Sequence, residues 1–281
     1  MKNIKIVYIL IGVFCVLAVI AGIYAQFFVP ETEKNNVIMP DFNNTQTPEV
    51  TEKTQEELKT QFASLFTNTF NIGTYNTANI ERIDINKDLV YSAYDIEEQG
   101  ENYEVNIHLP VMNISNDVVA EFNNTTQTIF ANKAAEILNG QSAQNTIYSV
   151  DYTAYINGDV LSLVIQSTLK EGNNPQRVIV QTYNYNLATG EKVEATDLLS
   201  QKNLIQSEVQ NKIEETVQKA QQEAEILVQS GYSVYNRNLE NQMYQLNNLS
   251  TYFLGPTGDL YIIFAYGNNN FTSEMDIVWY E

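Results

Sequence analysis

The sequence predicts an α+β fold: a largely antiparallel sheet with two long helices packed on it, preceded by one transmembrane helix. Three observations carry that prediction. An uncharged apolar run opens the chain, two later stretches show helical spacing, and the rest alternates apolar and polar residues between hairpin signals.

The apolar run, "IVYILIGVFCVLAVIAGIYAQFFV", occupies residues 6–29 and would reach about 36 Å as a helix, enough to cross a bilayer. Lys2 and Lys5 precede it and Glu31 and Glu33 follow, which orients the amino terminus to the cytoplasm and the bulk of the chain to the outside of a cell membrane. A cleaved signal peptide is the competing reading, with Ala25 at the cleavage position. Ile23 is too large for the position two residues before it, and the run is too long, so an uncleaved single-pass anchor is expected. Cys15 sits mid-span after the bulky Phe14 and reads as an apolar residue rather than a lipid-attachment site. Beyond it there is no cysteine, so neither a disulfide framework nor a thiol nucleophile is available outside.

All 34 Asp and Glu lie beyond residue 30 with 13 of the 15 Lys and Arg, leaving that portion at −21. Such a surface disfavours nucleic acid and anionic lipid as partners and attracts cations or basic proteins. Residues 30–53 mix Pro, Asn, Thr and charge without apolar period and read as a flexible tether. Leu58, Phe62, Leu65, Phe66 and Phe70 then recur at three- to four-residue steps after Thr54, predicting a short amphipathic helix.

"DLVYSAYDIEE" and "ENYEVNIHLPVM" read as two strands hinged at Gln99-Gly100, with Pro110 ending regular pairing or marking an edge. Residues 115–139 turn helical, with a stripe of Val118, Phe122, Ile129, Phe130, Ala134, Ile137 and Leu138, a cap at Ser115 or Asn116 and Gly140 beyond the end. "NTIYSVDYTAYI" and "VLSLVIQSTL" flank Asn157-Gly158-Asp159, a strong hairpin signal, and the second is apolar on both faces and therefore central. "RVIVQTYNYNL" is the next strand. Residues 201–229 form a second long helix through Ile205, Val209, Ile213, Val217, Ala220, Ala224 and Leu227, closed by Gly231, and "LYIIFAYG" and "EMDIVWY" are the last strands. Connections read as hairpins rather than crossovers.

Catalytic machinery is scarce. His108 is the only histidine, which rules out a two-histidine metal site, and its alternation with Glu104 and Asn106 places it on a polar strand face as a surface residue. No catalytic residue, metal site or cofactor is expected. Asp95, Glu97, Glu98, Glu101 and Glu104 crowd the first hairpin and are the candidate ligand-binding residues, for a cation or a basic partner. No Asp-x-Asp-x-Asp-Gly calcium loop accompanies them, and like charges around an exposed hairpin also read as a solvated face. Trp279 shares a strand face with Met275 and Ile277, which points to core packing rather than a sugar platform.

The order "YEVNIHLPVMN", "YTAYINGDVLSLVIQSTL", "YNYNLATGEKVEATDLL" and "YFLGPTGDLYIIFAYG" resembles the extracytoplasmic domain shared by RsiV-type lysozyme-sensing anti-sigma factors and PdaC-type peptidoglycan deacetylases, over residues 85–281. The resemblance implies that Tyr183 to Leu199 form a strand, a Thr-Gly turn and a helix entry, making the tyrosines architecture. It departs at "EGNNPQ", residues 171–176, which lacks the family's loop histidine, and neither a sigma-binding nor a deacetylase part is expected. The resulting layout is a cytoplasmic stub (1–5), an anchor (6–29), a tether (30–53), a helical lead-in (54–84) and an RsiV-like domain (85–281).

The expected function is a membrane-anchored extracytoplasmic binding module for a cell-wall-associated ligand, either a basic wall-lytic protein such as lysozyme, as the resemblance implies, or the wall polymer. A carboxylate-based wall hydrolase and an assembly partner of another membrane protein are the alternatives.

Overall fold

The structure, a computed structural model, describes residues 53–140 and 145–281. The stub, the anchor and nearly all of the tether lie outside these residues, and no helix among the described residues is long and apolar enough to cross a membrane. Residues 52–281 form one compact unit.

Helix α1, Gln55–Ala63, starts where expected. Thr54 caps it by accepting from the Glu57 N–H while the Glu57 carboxylate accepts from the Thr54 N–H, and Leu58 and Phe62 are buried. The helical period ends before Phe70, which lies instead in a short strand β1, Thr69–Asn71. Strands β2, Val90–Gln99, and β3, Tyr103–Met112, form the first hairpin. Pro110 does not end β3. It pairs with Ser92 beside a bulge in β2, beyond Ile107, the last β3 residue paired to the next strand, so its missing N–H breaks no ladder on that side.

The chain then runs through helix α2, Asp117–Thr126, a π-helical turn, Gln127–Ala131, and α3, Asn132–Leu138. Asn116 is the cap, accepting from the Val118 N–H at 2.8 Å. The buried stripe is Val119, Phe122, Thr126, Phe130, Ala134 and Ile137. Val118 and Ile129 are 40% and 42% exposed, which corrects the predicted stripe: the cap sets the first turn one residue out of phase, and the π turn carries the stripe at four-residue steps. This segment joins β3 to a parallel neighbour, β4, Thr146–Asn157, so one connection is a crossover, not a hairpin.

Beyond the β3 ladder β1 takes over the same edge of β4, also in parallel. Strands β5, Val160–Glu171, β6, Arg177–Asn186, and the short β7, Glu191–Lys192, complete a sheet ordered β2-β3-β4-β5-β6-β7 with β1 beside β4. β5 is central, as expected. Gly190 adopts φ +76° in the turn after β6.

The predicted helix at 201–229 corresponds to α5, Gln206–Gln229, and a separate short helix α4, Ala195–Gln201, stands before it. Asn203 separates them at φ 55°, with its N–H bonded to the Ser200 carbonyl and the Leu204 N–H to that of Leu199. That is a Schellman ending with Asn in the left-handed position, and α5 closes the same way at Gly231. Ile205 and Leu227, assigned to the buried stripe, are 57% and 46% exposed because they sit at the capped ends of α5.

The tail forms a second sheet, ordered β10-β9-β8, from β8, Tyr252–Leu254, β9, Leu260–Ala265, and β10, Met275–Tyr280. The expected single sheet is therefore two. α2 and α3 pack on one face of the large sheet through Phe122, Phe130 and Ile137 against Tyr148, Leu163 and Tyr183. The opposite face, through Val164, Val178 and Val180, meets α1 and the small sheet through Phe62, Phe253 and Ile263. α4 and α5 cover the far side of the small sheet through Leu198, Val209, Ile213 and Val217. The fold is mixed α+β, with antiparallel pairing dominant and two parallel junctions.

Polar side chains join the two sheets. Thr182 Oγ1 accepts from the Tyr252 N–H, Asn184 Nδ2 donates to the Tyr252 carbonyl, and Ser162 Oγ accepts from the Leu254 N–H while bonding Asn184 Oδ1 at 2.6 Å. The free edge of β8 is thereby satisfied by side chains instead of another strand. On the other face of β6, Tyr183 stacks on Phe122 with centroids 4.3 Å apart and Tyr185 is buried, so the tyrosines of "TYNYN" are core packing.

Candidate functional site

The acidic hairpin is where the sequence places candidate ligands, and the register separates its members. Asp95 faces His108, Glu97 faces Asn106 and Gln99 faces Glu104 across β2 and β3. Alternation along a strand puts these three pairs on one face and Ile96 and Glu98 on the other, with Glu101 in the turn. Asp95, Glu97 and Glu104 thus share a face, and all five acids are exposed. On the other face Glu98 accepts from the Tyr103 hydroxyl.

Asp95 is the most structured of the five. It accepts from Ser92 Oγ at 2.6 Å and lies 2.9 Å from His108 Nδ1. The Ser92 and His108 hydrogen bonds hold its carboxyl below the usual carboxylate range. His108 is a surface residue, 31% exposed at its side chain, as its place on the polar face requires. Asn106 and Ile147, exposed on the same side, extend this face across β3 and β4, so an uncovered polar sheet surface carries the acids at its rim.

A second polar cluster escaped the sequence reading. Arg237, in the loop after α5, meets Asp276 of β10 through Nε to Oδ2 at 2.7 Å and Nη2 to Oδ1 at 3.1 Å, and Glu274 through Nη1 at 3.1 Å. The Tyr266 hydroxyl donates to Asp276 Oδ2 as well and accepts from the Tyr244 hydroxyl at 3.2 Å. Tyr235 stacks on Tyr266 with centroids 4.0 Å apart. Burial opposes the charge on Arg237, but the hydrogen bonds it donates to Asp276 and the charge of that carboxylate outweigh this and raise the guanidinium further above its ordinary value. Burial, with Asp276 beside it, pushes the Tyr266 phenol far up, and burial takes Tyr244 to about 12. Every member is buried except Glu274 and Tyr235, which are partly so, and the cluster pins the 231–248 segment to the small sheet. The only sequence cue was a single Arg beyond Lys219 and an Asp inside the apolar run "MDIVW".

Trp279 is half-buried against the core formed with α1, and Lys53 Nζ lies 3.8 Å from its ring centroid, so it packs as expected but with one side reached by a cation. Among the described residues no group of three or more His, Cys, Asp or Glu is arranged to hold a metal ion.

No protein-family model and no curated protein matches the chain. Solved structures are similar to it, among them these two. A DUF3298 family protein from Pseudomonas aeruginosa PAO1 is 16% identical, with a TM-score of 0.29 over 51% of this chain and 68% of its own. A DUF3298 family member from Bacteroides fragilis NCTC 9343 is 11% identical, with a TM-score of 0.25 over 58% of this chain and 74% of its own.

Proposed function

We propose that this protein is a membrane-anchored, extracytoplasmic binding module, not an enzyme, whose partner is a basic cell-wall-associated protein of the lysozyme type. The observation that carries the reading is the uncovered sheet face bearing Asp95, Glu97 and Glu104, in a portion of the chain whose net charge is −21. Complementary fields speed encounter with a basic partner and suppress like-charged ones such as anionic wall polymer. The RsiV-like order of sequence segments supports the same partner class, and residues 6–29 would hold the module at the membrane.

The test is titration of the full-length chain with lysozyme, comparing the native protein with an Asp95→Asn, Glu97→Gln, Glu104→Gln variant. The reading expects at least a tenfold weaker complex for the variant. Equal affinity would remove this face from the proposal.

A further inference from the structure

The edge of β2 offers more than charge. Within the hairpin the Gly100 N–H donates to the Tyr103 carbonyl at 2.8 Å. Antiparallel ladders alternate bonded and non-bonded pairs, so counting back along the unbroken register from Gln99 to Tyr94 makes Asp95, Glu97 and Gln99 the non-bonded positions. Their N–H and C=O groups point away from β3. β2 ends the sheet order, and among the described residues no strand pairs with its outer side. Three residues therefore present an open ladder, with Asp95 and Glu97 projecting to one face and Tyr94 and Ile96 to the other. Tyr94 is 45% exposed although aromatic.

This edge differs from that of β10. There the side-chain amide of Gln55 takes the backbone groups of Ile277, closing the ladder. The bulge between Ser92 and Tyr94 disrupts only the first part of β2. Acids on an edge also oppose pairing with a second copy, since two β2 strands would bring Asp95 and Glu97 against their own kind.

We propose that the Asp95–Gln99 edge of β2 receives an extended segment of the partner as an added antiparallel strand, with Lys or Arg opposite Asp95 and Glu97 and apolar residues toward Tyr94 and Ile96. It rests on the reading of a basic protein partner and specifies how that partner is held. Backbone bonds would supply the docking register and the alternating side chains the selectivity.

The probe is an acetylated heptapeptide alternating Lys with Val or Ile, titrated by fluorescence anisotropy into the full-length chain. Residues opposite Asp95 and Glu97 exchange both backbone bonds, so those are the lysines. N-methylation of the central Lys should weaken binding at least tenfold, whereas N-methylation of the Ile next to it, whose N–H faces outward, should leave it within about threefold. A peptide of the same composition with its lysines in one block should bind at least tenfold more weakly. Equal binding by all four peptides, or none by any, overturns the proposal.

Glu97→Pro and Glu97→Gln, equal in charge, give the test on the protein side. Proline removes one outward N–H and no bond to β3, so it should weaken the alternating peptide relative to Gln. Lysozyme separates the two readings. Tight lysozyme binding that Glu97→Pro leaves equal to Glu97→Gln sinks the strand addition and keeps lysozyme as the partner, while peptide binding without lysozyme binding removes lysozyme and keeps the strand addition for another basic protein.

Discussion

The side-chain amide of Gln55 closes the edge of β10: Nε2 donates to the Ile277 carbonyl at 2.7 Å and Oε1 accepts from the Ile277 N–H at 2.9 Å, across 222 residues of sequence. One side chain does what a neighbouring strand would do at that position. Gln55 stands in the first turn of α1, whose Phe62 lies among Phe66 and Phe253, so the helix is fastened to the small sheet by both backbone mimicry and apolar contact.

Gln55→Ala should therefore destabilise the unit by about 1–2 kcal/mol, since it strands two backbone groups as well as losing two bonds. Urea unfolding measures the cost. Hydrogen exchange at the Ile277 amide should accelerate more than at Ile263, whose N–H bonds the Thr251 carbonyl at 2.9 Å.

Removing Arg237 leaves the Asp276 carboxylate buried with a hydrogen bond from the Tyr266 hydroxyl but no cation. Arg237→Met should cost about 3–5 kcal/mol, as breaking buried pairs does. Adding Asp276→Leu should recover a large part of that, because the double change leaves no charge behind. A double-mutant cycle in urea reads the coupling. Additive losses would show that the pair does not interact as its 2.7 Å contact indicates.

Two glycines separate strain from space. A Cβ on Gly267 would stand 1.9 Å from the Val178 carbonyl oxygen, where the small sheet's turn passes β6, whereas one on Gly158 meets nothing within 4 Å but must accept φ +58°. Gly158→Ala should cost roughly 1–2 kcal/mol, the penalty of a left-handed residue. Gly267→Ala should cost about 3 kcal/mol or more, because backbone must move against backbone. Thermal unfolding of both variants checks the order.

The Asp95 carboxyl is held low chiefly by Ser92 and then by His108. A depressed folded-state value means that its contribution to stability is present above the unfolded value and is lost as pH falls through the folded one. Ser92→Ala should move the Asp95 titration, followed by carbon NMR, upward toward the ordinary carboxylate range. His108→Asn should move it in the same direction. An unmoved midpoint in both would show that the hydrogen bonds are not formed in solution.

Hairpins and strand centrality were legible because they depend on residues close in sequence. Asn157-Gly158 gave the β4–β5 turn, and the double-sided apolar run of β5 gave its central place. Helix phase was less so: Val118 and Ile129 were drawn inward by a uniform period that Asn116 and the π turn offset. The break at Asn203 had a cue, since Asn tolerates the left-handed region, but Ile205 fits the apolar period of α5 and drew the predicted start ahead of its cap. β8 is only three residues, and its free edge is satisfied by Thr182, Asn184 and Ser162, partners no local pattern reveals. Parallel pairing of β1 and β3 on one edge of β4 is likewise a long-range outcome. For the site, charge density marked the hairpin, while the split of its acids between faces needed the register, and Arg237 and Asp276 are 39 residues apart.

The most direct measurement is calorimetric titration of the full-length chain with lysozyme at low and at physiological salt. The proposed function predicts saturable one-to-one binding at both, weaker at the higher salt because exposed charges are screened. Absence of heat, or multi-site association that vanishes at physiological salt, would contradict it.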